Sequence, residues 1–240
     1  MEKTVRAIEL YEGIKKGTYP REKMFIEEHC RPYDKAVEIE WQKSHDLSIY
    51  HSFEYFYNAI FSYYYISKNH IERVMSYFND NNIDTSCFKA LDYYNGIGLT
   101  TLDLAKKFNH VTIYNDCQAQ VDMLLKLAKE YDVSNISKNK FDDIDVLFSL
   151  QEIEHYFEPV EHIKELLEMS KNTKYLILSH GFTNDKYCGH YSYYKIEDKL
   201  VPYTQTFGYV EEEILKTRVK VFSADRGKIA IYRLIEEDIL

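Results

Sequence analysis

The sequence predicts an α/β protein, with a mostly parallel, doubly wound sheet, an antiparallel C-terminal hairpin and a helical N-terminal extension. Three observations predict it. From residue 88 onward, short apolar runs alternate with amphipathic stretches of ten or more residues, the pattern of successive βα units. Before residue 88, apolar groups recur at helical spacing. The chain closes on two β-rich runs joined across Arg226-Gly227, a hairpin signature.

The elements run in order along the chain. "TVRAIELYEGIKKG" is amphipathic and stops at Gly17, and Pro20 and Pro32 punctuate the residues beyond it. "DLSIYHSFEYFYNAIFSYYYISKNHIERVMSYFNDNN" spreads helical periodicity over two or three elements, and "NDNNID" is a stop and turn. "FKALDYY" reads as a strand, "GLTTLDLAKKF" as a helix, "HVTIYND" as a strand and "CQAQVDMLLKLAKEYD" as a helix. After a short irregular stretch, "DIDVLFSL" is a strand and "PVEHIKELLEMSK" a helix opened by Pro159 at its first position. "KYLILSHGF" is another strand, followed by a loop-rich stretch over 181–208, a helix near "GYVEEEILKTR" and the hairpin "VKVFSAD-RG-KIAIYRLI". The expected organisation is a helical extension over 1–86 serving as a substrate cap, and a core over 87–240 with 181–208 as a substrate-side insertion.

Composition narrows the function. With 240 residues, 45% hydrophobic and 29% charged, the chain suits a folded globular domain. A formal net charge of −9 argues against a nucleic-acid partner, because backbone affinity comes from Lys and Arg releasing counterions. The pairs Lys106/Lys107 and Lys138/Lys140 read as solvated faces. No apolar run reaches the roughly 18–20 residues of a membrane span, and the N-terminal stretch lacks a signal-peptide core, so a cytoplasmic location without membrane insertion is expected. Cys30, Cys87, Cys117 and Cys188 stand far apart with no C-x-x-C pair, as expected of reduced thiols. The 23 tyrosines concentrate in "HSFEYFYNAIFSYYYI", where helical spacing favours core, and around 187–194, where core and binding roles are evenly matched.

Asp92-Tyr93-Tyr94-Asn95-Gly96-Ile97-Gly98 sits where a strand passes into a helix. Glycine there lets backbone amides approach a ligand. The second strand ends in Asn115-Asp116, placed to accept from the hydroxyls of a ribose. Then "FDDIDVLFSLQEIEHYFEPVEHIKELL" supplies an acidic cluster, a strand and a Glu-His pair before the Pro-started helix.

Taken in order, these features resemble the class I S-adenosylmethionine-dependent methyltransferase family, whose glycine motif has the form acid-x-G-x-G-x-G. The resemblance covers residues 86–180 and, by topology, the last 30. It implies a seven-stranded, Rossmann-like sheet and S-adenosylmethionine as cofactor. Tyr94 stands where the family has its first glycine, so Gly96 and Gly98 are expected to be where the backbone meets the ligand. By resemblance, Asp92 orients the turn or meets the methionine amine, and Tyr94 lines the amino-acid end or turns into the core. Gly96 and Gly98 line the methionine-ribose portion, and Asp116, or Asn115 one residue earlier, holds the ribose. Asp142 or Asp143 accepts from the adenine amino group, with Phe141 against the ring. Leu150 and Gln151 border the methyl-donor centre.

Transfer to oxygen usually needs a base. His180, at the end of the fifth strand, and His155, beside Glu152 and Glu154, are the candidates. His155, Glu158 and His162 would share a face only on an uninterrupted helix, which Pro159 breaks, so no metal site is expected. The fourth strand leads into Ser149-Leu150-Gln151-Glu152 rather than a "[DNS]PP[YFW]" motif, and no Pro-Cys dipeptide occurs. The expected activity is O-methylation of a small polar metabolite: a sugar, a nucleotide-sugar or a phosphorylated surface-glycan precursor. N-methylation of a small molecule or peptide, and a non-catalytic scaffold, are the alternatives. The sequence is silent on oligomeric state.

Overall fold

The computed structural model describes residues 31–44, 49, 53–94, 96–138, 143–182 and 189–235. The helix expected over 4–17, and the N-terminal stretch read for a signal peptide, lie outside them. Three helices open the described chain: α1 (Arg31–Ser44), α2 (Phe53–Ser62), which runs through a π turn at Tyr63–Ser67, and α3 (Lys68–Asp80). Asn82, at φ 54°, ends this helical part inside the predicted asparagine-rich turn.

The alternation then proceeds as the apolar pattern predicts. The elements are β1 (Lys89–Tyr93), α4 (Leu99–Leu104), β2 (His110–Tyr114), α5 (Gln118–Glu130), β3 (Ile136–Lys138), β4 (Val146–Leu150), α6 (Pro159–Met169) and β5 (Tyr175–Ser179). A separate hairpin, β6 (Tyr193–Ile196) with β7 (Lys199–Pro202), precedes α7 (Tyr203–Ile214), β8 (Arg218–Ala224) and β9 (Ile229–Leu234). The main sheet has seven strands in the order β3-β2-β1-β4-β5-β9-β8. β1 pairs in parallel with both β2 and β4, while β9 runs antiparallel to β5 and β8. The antiparallel strand is therefore second from the edge: β9 inserts between β5 and β8.

Residues two apart on a strand share a face, and this sorts the helices. Ala90, Val111, Phe148 and Ile177 cluster with Ile71, Val74 and Phe78 of α3, while Ile113 joins α4 and α5 through Leu102, Val121 and Leu124. On the opposite face, Leu91, Leu147 and Leu176 meet Ile163 and Leu166 of α6 and Val210 and Ile214 of α7. Every residue of β4 is buried, as a central strand covered on both faces must be. The tyrosine-rich stretch behaves as core where its side chains are described: Tyr57, Ile60 and Tyr63 are buried against α4 and α5, and the Tyr63 hydroxyl donates to Asp103.

The structure adds elements where sequence patterning was weak. β3 is a three-residue, half-buried edge strand in the stretch read as irregular. The β6–β7 hairpin and the first residues of α7 fall within 181–208, expected to be loop. In β6 the exposed Tyr193 and Lys195 alternate with the buried Tyr194 and Ile196. That is a strand pattern only four residues long.

Candidate functional site

The strand order reverses direction between β1 and β4: from β1 the chain builds outward through β2 and β3, then returns to place β4 on β1's other side. Crevices at such switch points, beyond the carboxyl ends of the strands, are where open α/β sheets bind ligands. The segments following β1, β2 and β4 meet there.

After β1, Asp92 is 1% exposed, and its Oδ2 accepts from the Thr101 hydroxyl at 2.6 Å. Burial pushes its carboxyl up to about 7. Tyr94 has φ 52°, a left-handed conformation uncommon for a bulky residue. The backbone at 94 thus takes a conformation suited to the family's glycine, and a tyrosine is held in it. Its N–H donates to the Tyr114 carbonyl at 2.8 Å, extending the β1–β2 pairing by one residue. Its ring meets Tyr93, Tyr114 and Tyr156 edge-on, and its hydroxyl donates to Asp116 Oδ2 at 3.1 Å. Burial raises that hydroxyl above the usual phenol range.

The two glycines have different reasons to be there. Gly96 has φ +53°, and a Cβ built on it meets nothing within 4 Å, so open space lies against that backbone. Gly98 has φ +87°, and a Cβ there would fall 2.5 Å from Leu124 Cδ1. Gly98 is needed for α4 to approach α5 closely, whatever binds at the turn. The open backbone at Gly96 is compatible with the expected ligand approach, whereas packing alone accounts for Gly98.

After β2, Asn115 is buried. Its Oδ1 accepts from the Cys117 N–H at 2.8 Å, and its Nδ2 donates to Gln120 Oε1 at 2.9 Å and to the Gly96 carbonyl at 3.4 Å. It ties the glycine turn to the start of α5. Asp116 is exposed, and Tyr94 is the partner of its carboxylate. Asp143 is exposed at φ 58° and lies 3.7 Å from Lys89 Nζ. Asn95, Phe141 and Asp142 lie outside the described residues.

After β4, Leu150 is buried and Gln151 turns left-handed at φ 56°. The Gln151 N–H donates to the Ser179 carbonyl at 3.0 Å, and its Nε2 donates to Ser179 Oγ at 3.2 Å. Glu152 accepts from Ser149 Oγ at 2.9 Å, and its other oxygen sits 2.9 Å from His162 Nε2. Glu158 pairs with Lys195. His155, Glu158 and His162 are thus committed to different partners. Glu154 is wholly buried, and no side chain hydrogen-bonds its carboxyl; only the backbone N–H groups of Glu154 and Gly181 approach it. Burial pushes its carboxyl up to about 8. Its backbone carbonyl accepts from the Tyr194 hydroxyl of β6 at 2.7 Å.

The fold brings His190 to this point. Its Nε2 lies 4.0 Å from Glu154 Oε1, and its ring meets His155 edge-on at 5.1 Å between centroids. Ligand atoms of Glu154, His155 and His190 lie within 4.8 Å of one another, a set able to hold a metal ion. The expectation of no metal site considered neighbours along the chain and missed this set, whose third member arrives from beyond β5. A glutamate and a histidine in succession were the only signal, and their partner carried none.

His180 is 7% exposed, and its ring stacks on Phe207 at 3.7 Å. Burial holds its imidazole down to about 4. It is neutral at pH 7 but a weak base, shielded by α7. Burial, with His190 adding to it, likewise holds His155 down to about 3.

An adenosyl cofactor fits the open backbone at Gly96 and the exposed Asp116, and it would have to displace the Tyr94 hydroxyl from that carboxylate. No family model matches the sequence, and no curated protein matches it. Solved structures match in fold. The magnesium protoporphyrin IX methyltransferase of Synechocystis PCC 6803, with bound S-adenosylhomocysteine, aligns at a TM-score of 0.51 and 12% identity, over 70% of this chain and 84% of its own. An S-adenosylmethionine-dependent methyltransferase from Aquifex aeolicus aligns at 0.48 and 15%, over 68% and 89%. The [4+2]-cyclase SpnF aligns at 0.42 and 14%, over 62% of this chain and 57% of its own, so the chain spans little more than half of that protein. The architecture is the Rossmann-like fold of class I methyltransferases.

Proposed function

We propose that this chain, built on the class I methyltransferase fold, transfers a methyl group from S-adenosylmethionine to an oxygen of a small polar molecule. The observation that carries the reading is the meeting at one switch-point crevice of the open Gly96 turn, the exposed Asp116 and the histidine-bearing segment after β4. The cofactor supplies an electrophilic methyl on a sulfonium centre. The chain's own part is to bind and orient. Asp116 accepts from the ribose hydroxyls, Gly96 leaves the backbone approachable, and Asp92 with Thr101 holds the turn rigid. Asp142 or Asp143 takes the adenine amino group. Leu150 and Gln151 border the reacting centre.

The acceptor class we favour is a sugar, a nucleotide-sugar or a phosphorylated glycan precursor. The aromatic residues after position 189, including the exposed ring of Tyr193, offer faces on which sugars stack. Of the two histidines, His155 directly follows β4, one of the two strands flanking the crevice, whereas His180 follows β5 and is covered by Phe207. The acceptor's hydroxyl is therefore placed at the β4 end, where burial leaves His155 itself only a weak base.

The test is calorimetric titration with S-adenosylmethionine and S-adenosylhomocysteine, with NAD as control. Micromolar binding of the first two alone supports the reading. Absence of binding favours a scaffold that has lost its cofactor, for which the Tyr94–Asp116 hydrogen bond is the specific structural argument.

A further inference from the structure

A fully buried carboxyl with no side-chain partner is an anomaly. Buried polar groups are nearly always paired, and an ionised carboxylate left alone in the interior is costly. Glu154 is such a group: it has no exposed surface, no side chain hydrogen-bonds its oxygens, and only the backbone N–H groups of Glu154 and Gly181 approach them. It faces two imidazoles rather than a Lys or Arg, and an imidazole offers a lone pair as readily as a proton.

The space between these groups is kept open. A Cβ on Gly181 would lie 2.7 Å from Glu154 Oε1, 2.9 Å from His190 Cε1 and 3.3 Å from Gln151 Oε1. Any side chain at 181 would enter the gap those three residues surround. Gln151 is pinned through its Nε2 to Ser179, which leaves its amide oxygen facing that gap. Backbone groups of Gln151 and Gly189 hydrogen-bond the His155 ring, and the backbone that carries His190 is anchored by its carbonyl, which accepts from Trp41 Nε1 at 3.1 Å. Hydrogen bonds to the ring, as at His155, are what orient imidazole ligands.

We infer that Glu154, His155 and His190 form a binding site for one first-row divalent cation, with the Gln151 amide oxygen at its rim. Bonds of about 2.0–2.2 Å hold ligand atoms roughly 3–4 Å apart, so atoms already within 4.8 Å need only small side-chain adjustments. Two imidazoles and one carboxylate select zinc, cobalt or manganese over magnesium, which prefers an all-oxygen shell. Three protein ligands leave positions for exchangeable ones. The use of the site rests on the methyltransferase reading: a cation at the end of β4 takes an acceptor through a hydroxyl oxygen and lowers that hydroxyl's pKa, work that the weakly basic histidines do poorly.

The experiment uses the full chain, stripped with a chelator and titrated with cobalt(II) under visible absorption, and with zinc and magnesium by calorimetry. One equivalent of cobalt with ligand-field bands, and zinc tighter than magnesium, is expected. Glu154→Gln and His190→Ala should each weaken binding by about a hundredfold or more, and Gly181→Ala should do the same by filling the gap. Metal-free Glu154→Gln should unfold at or near the wild-type temperature, because a neutral amide of the same shape replaces a buried carboxyl that no side chain pairs; this separates lost binding from lost folding. No saturable cation in the wild-type chain, magnesium preferred over zinc, or unchanged affinity in all three variants would overturn the site. S-adenosylhomocysteine titrated into the metal-free chain tests the methyltransferase reading separately, since each result stands without the other.

Discussion

The Tyr94 hydroxyl donates to the Asp116 carboxylate at 3.1 Å, bridging the turns that follow β1 and β2. The carboxylate assigned to the ribose therefore already has a partner, supplied by a residue held at φ 52°. A ribose must replace that hydrogen bond, worth about 1 kcal/mol at a solvent-facing position. Tyr94→Phe should tighten S-adenosylhomocysteine binding by roughly fivefold, and Asp116→Ala should weaken it at least about tenfold. Calorimetry of both variants checks this. Weakening by Tyr94→Phe would mean that the hydroxyl helps hold the ligand.

The two glycines of the turn should respond differently to alanine. Gly98→Ala combines a positive φ with a Cβ 2.5 Å from Leu124 Cδ1 and should cost about 2–4 kcal/mol. Gly96→Ala meets open space, so only the backbone term of about 1 kcal/mol applies. Denaturant midpoints of the two variants measure the difference, and equal losses would refute the packing role of Gly98.

Two buried histidines should make stability fall on acidification. His70 and His180 are both held down to about 4, chiefly by burial. Asp225, Arg73 and Lys228 face His70, while Lys228, Glu211 and His70 face His180. The unfolded chain binds these protons near pH 6.5, so each contribution is complete above that pH and is lost as pH falls toward 4. Each is worth up to roughly 3 kcal/mol. Asp92, raised to about 7, works in the opposite direction, contributing fully below pH 4 and losing that contribution as pH rises toward 7. The comparison must therefore be between His180→Phe and wild type: the variant's relative stability should rise from pH 7.5 to about pH 5. A constant difference would show that His180 titrates normally.

Thr101 is the only hydrogen-bond partner identified for the Asp92 carboxylate among the described residues. Thr101→Val keeps the shape and removes the donor. The cost should be about 2 kcal/mol at pH 8, where the carboxylate is charged, and smaller at pH 5, where it is protonated. Urea unfolding at the two pH values checks the order.

Trp41 of α1 is fully buried and donates to the His190 carbonyl. Trp41→Phe retains most of the packing and should cost about 1 kcal/mol of stability. It should also weaken cation binding, because the backbone that carries His190 loses an anchor. Cobalt titration of the variant measures this, and unchanged affinity would separate α1 from the site.

The core strands β4 and β5 were legible because they are near-continuous apolar runs, and α6 because Pro159 opens it. β3 and the β6–β7 hairpin were not, because three or four half-exposed residues carry too little pattern to separate from loop. Among the site residues, Asp92, Gly96 and Asp116 could be named from their order along the chain. The bond from Tyr94 to Asp116 could not, since it depends on where a ring points.

Periodicity, turn residues and motif order are local properties of the chain, and they were enough for the α/β alternation, the terminal hairpin and the turn after β1. The position of β9 between β5 and β8, the contact that makes Gly98 necessary, the burial of His180 behind Phe207 and the meeting of Glu154 with His190 depend on packing between distant segments. Those arrangements come from burying two helical layers against one sheet, a constraint on the whole chain that no local stretch records.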